Sequence, residues 1–232
     1  MKASERLIVA LDVKGPDVAR ELITKIGDVA GVWKIGLELL FSGGAELARE
    51  LSGQGNQVFV DAKLLDISNT VERATANIAA MGAAFLSVHG HDSKTMEAAV
   101  KGRVDSELKL LAVTVLTSLE EADLAEQGIN EAPAALVLRR AELAKQAGFD
   151  GVIASGHEAA GIREATGSGF IIVTPGIRPA GAAPGDQARV MTPGEAINAG
   201  ADYLVVGRPI TQAEDPGAAA RAIVEEIEQA LV

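Results

Sequence analysis

Eight short apolar runs, separated by stretches of helical character, constrain the fold of this chain more than any other feature. The runs are Arg6 to Asp12, Gly31 to Gly36, Gln57 to Lys63, Ala84 to His89, Leu110 to Leu116, Gly151 to Ser155, Phe170 to Thr174 and Tyr203 to Val206. Helical segments are predicted over Pro16 to Ile26, Gly44 to Gly53, Ile67 to Met81, Ser93 to Gly102, Ala132 to Ala147, Glu158 to Ala165, Pro193 to Ala199 and Pro216 to Leu231. Strands alternating with helices are the pattern of parallel pairing with crossover helices. Eight of each in strict alternation favour an α/β fold of the (β/α)8 TIM-barrel type over an open doubly wound sheet. No glycine-rich dinucleotide fingerprint follows the first run, which weakens the open-sheet reading further. Gly82-Ala83, Gly148-Phe149 and Gly200-Ala201 read as helix C-caps that turn into the next strand.

A chain of 232 residues, 48% of them hydrophobic, suits one such barrel as a single domain over residues 1–232. The 21 Lys and Arg against 32 Asp and Glu give a formal net charge of −11. A nucleic-acid binder needs a basic footprint, so no nucleic-acid partner is expected. A small anionic substrate is compatible, because a few placed cations in a cleft outweigh a diffuse acidic surface. With no cysteine, disulfides, thiolate nucleophiles and thiolate metal sites are excluded. The apolar stretch Leu7 to Leu11 is too short for a signal-peptide core or a membrane span, so a soluble, cytoplasmic protein is expected.

The active site of a TIM barrel lies at the carboxyl ends of its strands, and charge there is more telling than charge elsewhere. Here Asp12 ends the first run, Lys34 interrupts the second, Asp61 and Lys63 close the third, and Thr117-Ser118 follow the fifth. Residues two apart on a strand share a face, so Asp61 and Lys63 are expected side by side, with Asp66 in the turn beyond. Converging ionisable groups are a poor way to build a core and a common way to build a site. An ordinary ion pair closing the strand is the plainer alternative. The seventh run ends in Thr174-Pro175-Gly176-Ile177-Arg178 and the eighth in Val206-Gly207-Arg208, where TIM barrels often bind phosphate. The Gly-, Ala- and Pro-rich stretch from Arg178 to Gln187 has the composition of a lid. His89 and His91 lack a third ligand of suitable type nearby, and Asp92 reads as the cap of the next helix, so these histidines are expected to be polar wall residues and no metal site is expected.

Leu11-Asp12, Lys34-Ile35-Gly36, Asp61-Ala62-Lys63-Leu64-Leu65-Asp66-Ile67 with Asn69-Thr70, and Leu116-Thr117-Ser118 form one set of motifs. Thr174-Pro175-Gly176-Ile177-Arg178-Pro179, Gly185-Asp186-Gln187 and Val206-Gly207-Arg208-Pro209-Ile210-Thr211 form another. Through these motifs the chain resembles, almost end to end, the orotidine 5′-monophosphate decarboxylase family in its bacterial form. The Asp-x-Lys-x-x-Asp core is shared by a wider decarboxylase group, and the last three segments are more specific. Ser68 stands where the family usually has proline, and Leu65 where bacterial members commonly have histidine.

The resemblance implies decarboxylation of orotidine 5′-monophosphate to uridine 5′-monophosphate in de novo pyrimidine biosynthesis, with no cofactor and no metal. It implies that Lys63 donates the proton, flanked by Asp61, and that Lys34 completes an alternating charge array. It further implies a homodimer in which Asp66 reaches the partner's site and Thr70 contacts ribose across the interface. Asp12 would bind ribose, Thr117 and Ser118 the pyrimidine, and Arg178, Gln187, Gly207 and Arg208 the phosphate. Two other readings stand beside this one. The first is a related Mg²⁺-dependent sugar-phosphate decarboxylase or aldolase with the same core, and the second a noncatalytic barrel that binds phosphate ligands.

Overall fold

The structure, a computed structural model, describes residues 1–179 and 190–232. Eight parallel strands close a barrel in chain order: β1 Leu7–Ala10, β2 Val32–Ile35, β3 Val58–Leu64, β4 Phe85–His89, β5 Lys109–Val113, β6 Gly151–Ile153, β7 Ile171–Thr174 and β8 Tyr203–Val206. The principal helices are α1 Pro16–Ile26, α2 Ala45–Gly53, α3 Ser68–Ala80, α4 Ser93–Arg103, α5 Pro133–Gln146, α6 Gly156–Thr166, α7 Pro193–Asn198 and α8 Pro216–Ala230. The expected (β/α)8 architecture is therefore the observed one. None of the described helices is long and apolar enough to cross a membrane.

Strand period separates two cores. Ile8, Val32, Phe59, Phe85, Leu111 and Val173 point into the barrel and form one buried cluster. Their strand neighbours Val9, Trp33, Val58, Val60, Leu86 and Leu110 point outward and pack beneath the helices in the larger cluster. Both faces of each strand are thus buried, which is why the strands read as continuous apolar runs rather than as an alternation. Phe59 meets Phe85 edge-on at 6.2 Å between centroids, Phe85 meets Tyr203 at 5.3 Å, and Lys109 Nζ lies 5.5 Å from the Phe85 centroid.

Polar side chains tie down the amino-terminal end. Asp150 accepts hydrogen bonds from the Leu110 amide (2.8 Å) and Arg103 (2.7 Å). One quarter-turn of chain pairs later the device recurs: Asp202 accepts from the Ile172 amide (2.8 Å) and Arg163 (2.6 Å). Helix ends follow their sequence signals. Pro16 occupies the first turn of α1, and the Asp92 carboxylate accepts from the Thr95 amide at 2.9 Å to start α4. Gly82, Gly148 and Gly200 all have positive φ, as C-caps leading into strands require. Ser68 takes the first position of α3, where a proline is equally well accommodated, so its substitution leaves the helix start intact.

Several boundaries differ from expectation. β1 stops at Ala10, although the Leu11 amide still bonds to the Lys34 carbonyl at 2.9 Å. β5 stops at Val113, not Leu116, because the last bond to β6, from the Thr114 amide to Ile153, is followed by a turn closed between Leu119 and Leu116. Val115 is buried yet lies outside the strand, so its apolar character signals burial rather than pairing. Sequence reading also missed three short helices. Leu37–Leu39 continues through a π-turn into α2, Glu121–Glu126 begins where the Glu120 amide donates to Asp123 (2.7 Å), and Arg208–Thr211 follows β8.

Candidate active site

Register places the charges. Ala10 is level with Lys34, and Lys34 with Phe59, so the inward positions above the apolar layer fall to Asp12, Lys34, Asp61 and Lys63. Lys34 Nζ lies 2.9 Å and 3.2 Å from the two Asp12 oxygens and 3.3 Å from Asp61 Oδ2. Lys63 Nζ lies 2.7 Å and 2.8 Å from the two Asp61 oxygens. The result is a continuous alternation, Asp12, Lys34, Asp61, Lys63, with Lys34 and Asp61 each only 6% exposed.

Such burial costs free energy that only the pairing offsets. Burial opposes the Lys34 ammonium, but Asp61 and Asp12 together outweigh it and hold the pKa above its ordinary value. Burial likewise opposes the Asp61 carboxylate, and Lys34, Lys63 and a hydrogen bond from Ser87 outweigh it and hold the pKa below its ordinary value. Both groups are charged at neutral pH.

Lys63 does not sit on a regular strand, as its spacing from Asp61 alone suggests. Its φ is +48°, a left-handed conformation that costs a non-glycine residue on the order of 1–3 kcal/mol and clusters at functional sites. The β3–β4 register slips between Val60 and Leu64, and Lys63 stands on this bulge. Its amide donates to Ser87 Oγ at 2.9 Å. Gly36 is required by close approach: a Cβ there would fall 2.4 Å from Asp12 Oδ1 and 2.7 Å from Lys34 Nζ.

A cavity of about 690 Å³ opens above this array and is lined by Asp12, Lys34, Asp61 and Lys63 on one side. Thr117 and Ser118 border it from the loop after β5, and Gly176, Arg178, Gly207 and Arg208 from the loops after β7 and β8. Nine of the twelve sequence-predicted site residues therefore meet in one cleft. Pro175, Thr211 and Gln212, to which sequence reading gave no role, also line it. The Arg178 amide donates to the Met191 carbonyl at 2.9 Å, and Ile177 bridges Met191. Gln187, the Gly185-Asp186 pair before it and most of the expected lid lie outside the described residues.

Asp66 and Thr70 do not join the cleft. Both are exposed on the rim, where Asp66 Oδ1 accepts from the Ile67 amide at 2.7 Å and borders a separate shallow depression with Leu65, Ile67 and Lys94. Ile67 beside Asp66 is 73% exposed, and Phe41, in the segment after β2, is 90% exposed. His89 and His91 have rings 4.6 Å apart. Burial first, then the neighbouring His91, Lys63 and Arg140, push His89 down to about 4, so its ring is neutral at physiological pH. Among the described residues no group of three or more His, Cys, Asp or Glu is arranged to hold a metal ion.

The profile of the orotidine 5'-phosphate decarboxylase / HUMPS family matches residues 5–223. Orotidine 5'-phosphate decarboxylase of Rhodopseudomonas palustris is 53% identical over 227 residues, covering 98% of this chain and 96% of its own. That of Afipia carboxidovorans is 55% identical over 225 residues, covering 96% and 94%. The crystal structure of orotidine 5'-phosphate decarboxylase from Lactobacillus acidophilus superposes with a TM-score of 0.83 at 38% identity, covering 95% of this chain and 98% of its own. This chain belongs to the orotidine 5'-phosphate decarboxylase / HUMPS family.

Proposed function

We propose that this chain is an enzyme that decarboxylates orotidine 5′-monophosphate to uridine 5′-monophosphate in pyrimidine biosynthesis, without cofactor or metal, and that Lys63 protonates C6. The observation that carries the reading is the Asp12-Lys34-Asp61-Lys63 alternation, buried at Lys34 and Asp61, whose last ammonium faces a nucleotide-sized cleft. When the C6–carboxylate bond breaks, CO₂ departs and the electron pair stays on C6, where no adjacent π system accepts it. An ammonium held about 3 Å away lowers the energy of that charge by roughly 5 kcal/mol at an effective dielectric of about 20. The same group then transfers its proton to C6 and recovers one from solvent. Asp61 accepts from the Lys63 ammonium and aims it, and Lys34 helps to keep Asp61 ionised.

The remaining residues divide by chemistry. A carboxylate has about four lone-pair sites, so Asp12 can accept from a ribose hydroxyl while it holds Lys34. Thr117 and Ser118 offer hydroxyls to the pyrimidine edge. Arg178, Arg208 and the Gly207 backbone border the cleft and would take the phosphate, a role the family resemblance also gives to Gln187. Phosphate binding far from C6 is energy available for ordering the site. Asp66 and Thr70 belong to the neighbouring cleft of a homodimer. Their position outside their own cleft supports this, as does the exposed apolar rim around them.

The direct test is a metal-free assay that follows loss of orotate absorbance after exhaustive EDTA treatment. Turnover is expected to survive. Loss with chelator and return with Mg²⁺ would move the assignment to the sugar-phosphate enzymes that share the Asp-x-Lys-x-x-Asp core. A second expectation concerns Gly36→Ala. The new methyl displaces Asp12 and Lys34 side-chain ends rather than backbone, so kcat/KM should fall about 10- to 100-fold while the melting temperature moves by only a few degrees. Steady-state kinetics beside a thermal melt decide it, and an unchanged kcat/KM refutes the need for close approach.

A further inference from the structure

We infer that Ser87 is a positioning residue for the decarboxylation, one hydroxyl that fixes both the Lys63 backbone and the Asp61 carboxylate and so sets where the Lys63 ammonium sits. The inference rests on the proposed reading of the cleft and adds to it a residue outside its lining. Ser87 is on β4, fully buried and on the strand's inward face between Phe85 and His89. Its Oγ is 2.9 Å from the Lys63 amide nitrogen and 2.8 Å from Asp61 Oδ1. The proton directions follow from the groups themselves. An amide N–H only donates and an ionised carboxylate only accepts, so the hydroxyl accepts from Lys63 and donates to Asp61.

The bulge explains why a side chain is needed there. β3 and β4 pair at Val60↔Leu86 and next at Leu64↔Val88, a step of four residues on β3 against two on β4. The intervening residues bow away from the ladder, and Lys63 takes a left-handed conformation within the bow. Its amide is turned from the regular β4 carbonyl series, and the Ser87 hydroxyl takes the place of a main-chain partner. Through its other bond Ser87 shares Asp61 Oδ1 with the Lys63 ammonium. The backbone and the tip of Lys63 are thereby referred to one fixed point on a neighbouring strand. A strained conformation persists only where the surroundings over-determine it, and Ser87 supplies that constraint.

The test compares Ser87→Ala and Ser87→Thr with the parent, using kcat, KM for orotidine 5′-monophosphate, and thermal melting. Ser87→Ala should lower kcat about 10- to 100-fold and change KM less than about threefold, because phosphate and ribose contacts are untouched. Ser87→Thr returns the hydroxyl and should recover most of that loss. An alanine variant with parental kcat overturns the inference. So does a folded threonine variant no better than alanine, or a loss spread equally over kcat, KM and melting temperature, which marks a packing role. If the alanine variant does not fold, Ser87→Cys fills the same space with a weak donor and is judged by the same split in kcat and KM. Should the parent itself fail to turn over the nucleotide, the reading of the cleft falls. A failure confined to the variants concerns Ser87 alone.

Discussion

Lys63→Ala is expected to abolish decarboxylation while the barrel and its affinity for the nucleotide persist. In the proposed mechanism the ammonium is needed twice, for the developing charge on C6 and for the proton that quenches it, and no other donor in the array is placed to replace it. Lys34 is held between Asp12 and Asp61 and lies one step further along the alternation. The fold should tolerate the change because Asp61 is not orphaned. It keeps Lys34 at 3.3 Å and the Ser87 hydroxyl at 2.8 Å, so no unpaired buried charge is left. Alanine is no more comfortable than lysine at a φ of +48°, so relief of backbone strain will not mask the effect. Binding of uridine 5′-monophosphate, measured by calorimetry, should change little, since Arg178 and Arg208 lie at the other end of the cleft. If the purified variant keeps more than about a tenth of parental kcat, a loss of only about 1.4 kcal/mol in transition-state stabilisation, Lys63 does not have the assigned role.

The barrel is legible in the sequence because its strands are buried on both faces, which leaves continuous apolar runs bounded by glycine caps such as Gly82, Gly148 and Gly200. What is not legible is where pairing stops. Val115 is as apolar and nearly as buried as Val113, and only the turn between Leu116 and Leu119 separates loop from strand. The convergence of Asp12, Lys34, Asp61 and Lys63 is readable from strand period and barrel order. The bulge that turns Lys63 left-handed is not, because a register slip belongs to two strands and appears in neither alone. Ser87 left a usable signal: a hydroxyl on the inward series Phe85, Ser87, His89 needs a partner inside the barrel. Alternation within that run identifies it, provided each inward polar residue is asked what it bonds.

Mixing Lys63→Ala with Asp66→Ala, each inactive alone, is expected to restore activity. Asp66 lies in the turn after β3, and Thr70 lies in the first turns of α3, both exposed and both outside the cleft of their own chain. Leu65 and Ile67 beside them, and Leu37 and Phe41 after β2, are large apolar side chains left exposed, the kind of surface a partner subunit covers. A twofold contact through this rim is isologous, so each chain would lend its Asp66 to the other's Asp61 and Lys63. Random exchange of protomers makes about half the dimers mixed. In each mixed dimer one site then holds both lesions and the other holds neither, so up to about a quarter of parental activity should return. Native mass spectrometry establishes that mixed dimers have formed, and the orotate absorbance assay reads their turnover. Mixed dimers without turnover would mean that Asp66 acts within its own chain, since every site would then carry one lesion. In that case the apolar rim would still pair subunits, but the chemistry would be complete in one of them.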